Sequence, residues 1–89
     1  ALEIKPDSPN AHLNLAKLYF WELNRPDDAL REAEMAVKLH PAYFEAYNLL
    51  GEIYLKKGLS EKANLCFNKS LKIKSKQPEI ISILKVAKE

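Results

Sequence analysis

Cysteine, glycine and long apolar runs are what this sequence has least of, and each scarcity removes a class of structure. Cys66 stands alone, so no disulfide can close within the chain and no second thiol offers zinc spacing. With two glycines and five prolines in 89 residues the chain is not collagen-like, and its 47% apolar and 29% charged content is that of a folding globular protein rather than a disordered one. No apolar run nears the roughly 18 residues of a membrane span, and the opening ALEIKPDSP lacks the basic start and apolar middle of a signal peptide. The compartment stays open, with a lean to the cytosol. A chain this short buries a modest share of its unfolded surface, so its core has to be thin and extended, or shared with neighbours.

What is present is helical patterning. Apolar residues recur in steps of three and four, as in LNLAKLYF and YNLLGEIYL. Pro9 and Pro26 suit first helical positions, where a missing N–H costs nothing, and Ser8 is placed to cap the helix that follows it. Asn24 and Gly58 tolerate the left-handed conformation of a helix end, and Asp27, Asp28 and Glu61 put acid near positive helix ends. The pattern predicts helices near 9–23, 26–39, 43–57, 60–73 and 78–88. The net charge of +2 hides an asymmetry: residues 1–55 carry 5 basic and 9 acidic groups, and 56–89 carry 9 basic and 3 acidic.

The chain also repeats itself. AHLNLAKLYF aligns with AYNLLGEIYL at an offset of 35 residues, matching His12 to Tyr47, Leu15 to Leu50, Ala16 to Gly51 and Tyr19 to Tyr54. Further on, Ala29, Ala33 and Ala36 match Ala63, Phe67 and Ser70 at an offset of 34, so one extra residue lies between Tyr19 and Ala29. The second copy reads Tyr47, Leu50, Gly51, Tyr54, Ala63, Phe67; the first reads His12, Leu15, Ala16, Tyr19, Ala29, Ala33, Pro41.

In these residues the chain resembles the tetratricopeptide repeat family, whose W-x2-L-G-x2-Y, A-x3-F, P pattern returns every 34 residues. Ser75 departs from the expected proline, and alanine replaces both glycine and the large aromatic in the first copy. The resemblance implies an all-α, right-handed superhelical solenoid of antiparallel helix pairs with about five helices. It divides the chain into 1–8, the tail of a preceding repeat; 9–42, a first repeat with one inserted residue; 43–76, a second repeat; and 77–89, a capping helix or the start of a third. Small residues, Ala16 against Ala29 and Gly51 against Ala63, are expected to let paired helices approach closely.

The resemblance also implies a function. First helices of such pairs line a concave surface that grips a segment of another protein. The corresponding slots hold Asn10, Leu13, Asn14, Lys17, Phe20 and Trp21 in the first copy, and Glu45, Asn48, Leu49, Glu52 and Leu55 in the second. Asparagine there offers both a donor and an acceptor to a peptide backbone, and Phe20 and Trp21 either anchor a partner or cover the end of the core. A family variant clamps the C-terminal carboxylate of chaperone peptides, but Leu13, Lys17, Leu49, Glu79 and Ile83 occupy its five slots and none agrees, so no clamp is expected. Exposed apolar surface at the outer repeat is expected to drive self-association.

No constellation for chemistry is apparent. His12 and His40 are far apart without a Ser or Cys motif beside either, and Cys66 falls in mid-helix, as a small buried or half-buried residue does. Lys62, Lys69, Lys72, Lys74 and Lys76 invite a nucleic-acid reading, yet no aromatic interleaves them in sequence, and a solvated lysine face accounts for them. The expectation is a non-catalytic scaffold for another protein or peptide, without cofactor, metal or catalytic residues; the alternatives are the targeting arm of a larger enzyme or signalling protein and, behind it, a basic surface for nucleic acid or acidic protein tails.

Overall fold

In the computed structural model, which describes residues 8–88 and the side chains of 8–83, the chain is all helix with no strand among the described residues. The helices are α1 (Pro9–Lys17), continued by a π-helical turn (Leu18–Glu22), α2 (Pro26–Leu39), α3 (Phe44–Lys56), α4 (Ser60–Ile73) and α5 (Pro78–Lys88). The tail expected at 1–8 lies outside the described residues except for Ser8. Proline opens α1, α2 and α5, where its fixed φ suits the first turn and its absent N–H leaves no bond unmade. Ser8 stands at the N-cap of α1, but its hydroxyl makes no capping bond; its carbonyl accepts from His12 N at 3.1 Å.

Each helix packs chiefly on its neighbours in sequence: α1 on α2, α2 on α3, α3 on α4 and α4 on α5. This serial packing is a helical-repeat fold, and its core runs along the stack. Leu13, Ala16, Phe20, Ala29, Ala33, Ala36, Ala46, Leu49, Leu50 and Ile53 form one buried cluster, and Ala63, Phe67 and Ile80 continue it beneath Tyr54.

The inserted residue has a defined place. At the end of α3, Gly58 (φ +80°) reverses the chain, Gly58 N donates to Leu55 O and Leu59 N donates to Tyr54 O at 2.8 Å, closing the helix with both bonds of a Schellman motif. At the matching end of α1, Asn24 (φ 53°) takes the left-handed position and Arg25 N donates to Tyr19 O at 2.7 Å. The two tyrosine carbonyls are thus capped by equivalent residues, although Tyr19 and Arg25 are one residue further apart than Tyr54 and Leu59. The extra residue is absorbed where Leu23 N donates back five residues to Leu18 O at 3.0 Å, a π-type bond in place of an α-type one.

A further contact is made at the small residue of the second repeat. The group lying over Gly51 is the ring of Phe67, and a Cβ on Gly51 would sit 2.5 Å from Phe67 Cε1 and Cζ. In the first copy the same two slots hold Ala16 and Ala33, both fully buried. One repeat fills the space with glycine and a phenyl ring, the other with two methyl groups.

Candidate partner-binding face

Two stripes of side chains follow the helical period on the first helix of each pair. Asn10, Asn14, Lys17 and Trp21 descend α1 and its π turn; Glu45, Asn48, Glu52 and Leu55 descend α3. Asn10, Asn14, Trp21, Glu45 and Leu55 are exposed, and Lys17, Asn48 and Glu52 are half-buried. Three other residues read as partner contacts from their slots are corrected by the structure. Leu13 and Leu49 are 2% exposed and Phe20 is 9% exposed, all within the core cluster. Leu13 and Leu49 occupy slots one residue apart, so burial has followed side-chain chemistry rather than slot: in each helix the leucine is buried and its asparagine neighbour is the more exposed of the two.

The two aromatics of the π turn face different ways. Neighbouring residues on a helix of 3.6 residues per turn point about 100° apart, and here Phe20 faces the core while Trp21 is left 57% exposed. Their rings lie 6.2 Å apart at 48°, and Lys56 Nζ sits 5.6 Å from the Phe20 centroid. Leu18 and Leu23, 44% and 50% exposed, flank Trp21 and make this turn an apolar protrusion.

Several of the polar groups on these stripes are already engaged. Asn10 Oδ1 accepts from Tyr43 Oη at 3.1 Å, which ties α1 to the start of α3. Gln77, 8% exposed, was not singled out in sequence, because Tyr43 fills the equivalent slot of the preceding repeat. Its Nε2 donates to Lys74 O at 2.7 Å, Ser70 Oγ at 2.9 Å and Ser70 O at 3.2 Å, so its Oε1 is left to accept from Asn48 Nδ2 at 2.7 Å. That chain of bonds fixes the orientation of Asn48 and leaves its Oδ1 without a protein donor. Asn14 is the asparagine of the pair with an exposed amide. Burial holds the carboxyl of half-buried Glu52 above the usual carboxylate range.

His12 stands in the slot that Tyr47 fills in the second repeat. Its Nδ1 lies 2.6 Å from Glu32 Oε1, joining α1 to α2, and its buried Nε2 has no hydrogen-bond partner among the described residues. An imidazole held by a carboxylate is two parts of a hydrolytic triad, but no nucleophile among the described residues meets Nε2, and the pair acts as a staple between the helices. Asp27 joins Lys57 across the repeat boundary, and this contact holds its carboxyl below the usual range.

The lysines have aromatic partners that the sequence did not show. Lys62 Nζ lies 5.8 Å from the Tyr54 centroid, Lys69 Nζ 5.7 Å from Tyr47 and Lys74 Nζ 4.9 Å from Phe44. These rings come from α3 and its N-terminal end, and each is covered by an ammonium of this chain. No group of three metal-ligating side chains occurs among the described residues, and none of their helices is long and apolar enough to cross a membrane.

Comparison with known proteins agrees with the repeat geometry. A family model described as tetratricopeptide repeat matches residues 18–78, more than half of the chain. The chain is also similar to tetratricopeptide repeat protein 5 of Mus musculus, at 39% identity over 72 residues. The similarity covers 80% of this chain and spans 12% of the mouse protein. Repeats of this kind generally mediate protein–protein interaction. With its 35- and 34-residue offsets, serially packed helix pairs and glycine-to-phenyl contact, the chain belongs to the tetratricopeptide repeat family.

Proposed function

We propose that this chain is a non-catalytic recognition module that holds a segment of a partner protein against the α1 and α3 stripes, with Trp21 as its anchor. The observation that carries the reading is the indole, 57% exposed at the π turn of the repeat that is one residue longer. Tryptophan dominates binding energy where interfaces are well desolvated, and π turns recur at functional sites. Asn14 supplies a donor and an acceptor for the backbone of the segment, and Lys17, Glu45 and Glu52 set its charge pattern. Within a longer polypeptide the same face would serve as the targeting arm for whatever domains it is joined to.

The test uses peptides selected from a library on the immobilised chain, with affinities measured by calorimetry. Trp21→Ala should weaken binding about 30-fold, the factor that separates an anchoring residue from its surroundings. Asn68→Ala, on the exposed face of α4, should leave it unchanged. Loss at Asn68 with none at Trp21 would reject the proposed face.

A further inference from the structure

A second concavity lies on the other side of α3. At 3.6 residues per turn, Tyr47, Leu50 and Tyr54 share the face of α3 turned away from Glu45, Asn48 and Glu52. These three residues floor a groove of about 280 Å³ walled by Glu34 and Val37 of α2 and by Lys62, Leu65, Cys66 and Lys69 of α4. Leu65 is 64% exposed on its rim, the most open of the large apolar side chains described. The volume is below that of most small-molecule sites and suits apolar side chains inserted from a larger partner.

Charge narrows the partner further. Lys62 and Lys69 are both exposed, and their ammoniums lie over the two tyrosines of the floor. They are seven residues apart on α4, two helical turns or about 10.5 Å. The charged residues lining the α4 wall are Lys62 and Lys69, and the one lining the α2 wall is Glu34. We infer that this groove docks an amphipathic helix of a partner protein, its apolar stripe on Tyr47, Tyr54 and Leu65 and its carboxylates, spaced i and i+7, on Lys62 and Lys69. The matching two-turn spacing favours a helix over an extended strand, whose equivalent separation is about three residues and whose successive side chains alternate between faces. Glu34 on the opposite wall takes a basic residue on the other edge of the bound helix, so the opposed walls set the direction in which it runs. This surface is separate from the α1 and α3 stripes and would be occupied independently of them.

Cys66 lines the groove, which gives a direct readout on the intact chain. The probe is a synthetic helical peptide with a leucine stripe, one edge of glutamates at i and i+7, and lysines on the other edge. Alkylation of Cys66 by N-ethylmaleimide, followed by mass spectrometry, should slow tenfold or more, saturably, when this peptide is added. A peptide with lysine replacing each glutamate should give no protection. Lys62→Glu/Lys69→Glu, folded by circular dichroism, should lose the protection, and Trp21→Ala should retain it. An unchanged alkylation rate at millimolar peptide, equal protection by the all-lysine peptide, or protection surviving in the double variant would each overturn the assignment.

Discussion

Gly51 and Phe67 are fitted to one another: the phenyl ring occupies the space where any β-carbon on residue 51 would lie, 2.5 Å from two ring atoms. Both residues are buried and the ring belongs to the core of the second helix pair, so it has little room to withdraw. Gly51→Ala should therefore destabilise by about 1–3 kcal/mol through overpacking. Phe67→Ala should cost about 3–5 kcal/mol through the cavity it leaves. The first repeat fills these slots with Ala16 and Ala33, so the double variant should lose less than the sum of the single losses. Urea denaturation of the four proteins checks this, and strict additivity would show that the two residues are not in contact.

Gln77 binds the end of α4 to α3 through one amide. Truncation in Gln77→Ala leaves Ser70 Oγ and Asn48 Nδ2 without partners in a buried setting. Each such group costs about 1–3 kcal/mol. Gln77→Ala should thus lower the melting temperature more than Ser70→Ala, which removes one partner and keeps Asn48 bound. Equal melting temperatures for Gln77→Ala and the wild type would contradict the network.

These two contacts mark how far the sequence could be read. Helix positions were legible nearly to the residue, because Pro9, Pro26 and Pro78 stand at first turns and Asn24 and Gly58 at left-handed ends. The offset of 35 against 34 located the insertion, but not whether a loop or a helix would absorb it. The π turn was hidden because a hydrogen-bond shift of one residue leaves the apolar period almost intact. Ring packing over Gly51 was missed because spacing shows which residues share a face, not which side chain fills the space across it. On the candidate face, Leu13, Phe20 and Leu49 were misread for one reason: a repeat slot fixes a direction only to within one residue, about 100° of helix rotation.

Acidity separates two carboxylates. Burial raises the pKa of Glu52 in the folded chain, so its stabilising contribution is full below the unfolded value of about 4.3 and is lost as pH rises through the folded value. Glu52→Gln should therefore raise the melting temperature at pH 7, with the advantage vanishing below about pH 4. The pKa of Asp27 is lowered by Lys57, so its contribution is present at neutral pH and lost as pH falls through the folded value. Asp27→Asn should lower the melting temperature at pH 7 and have no effect in acid. Melting curves across this range check both signs.

Deleting Trp21 should restore the 34-residue spacing and convert the π turn to α-helix, with Asn24 still ending the helix. Helical circular dichroism should be retained and the melting temperature should not fall, since a π turn is a poorer helix than the one replacing it. Binding of selected peptides should be lost together with the indole. A large loss of helix on deletion would show that the insertion serves folding rather than recognition.

The central claim is that partner segments lie along the first helix of each pair, and amide shift mapping by nuclear magnetic resonance tests it most directly. Titration of the labelled chain with a library-selected peptide should move the amides of Asn14, Lys17, Trp21, Glu45, Asn48 and Glu52, together with the indole N–H of Trp21. Shifts confined to α2 and α4, with Trp21 unmoved at saturation, would contradict it.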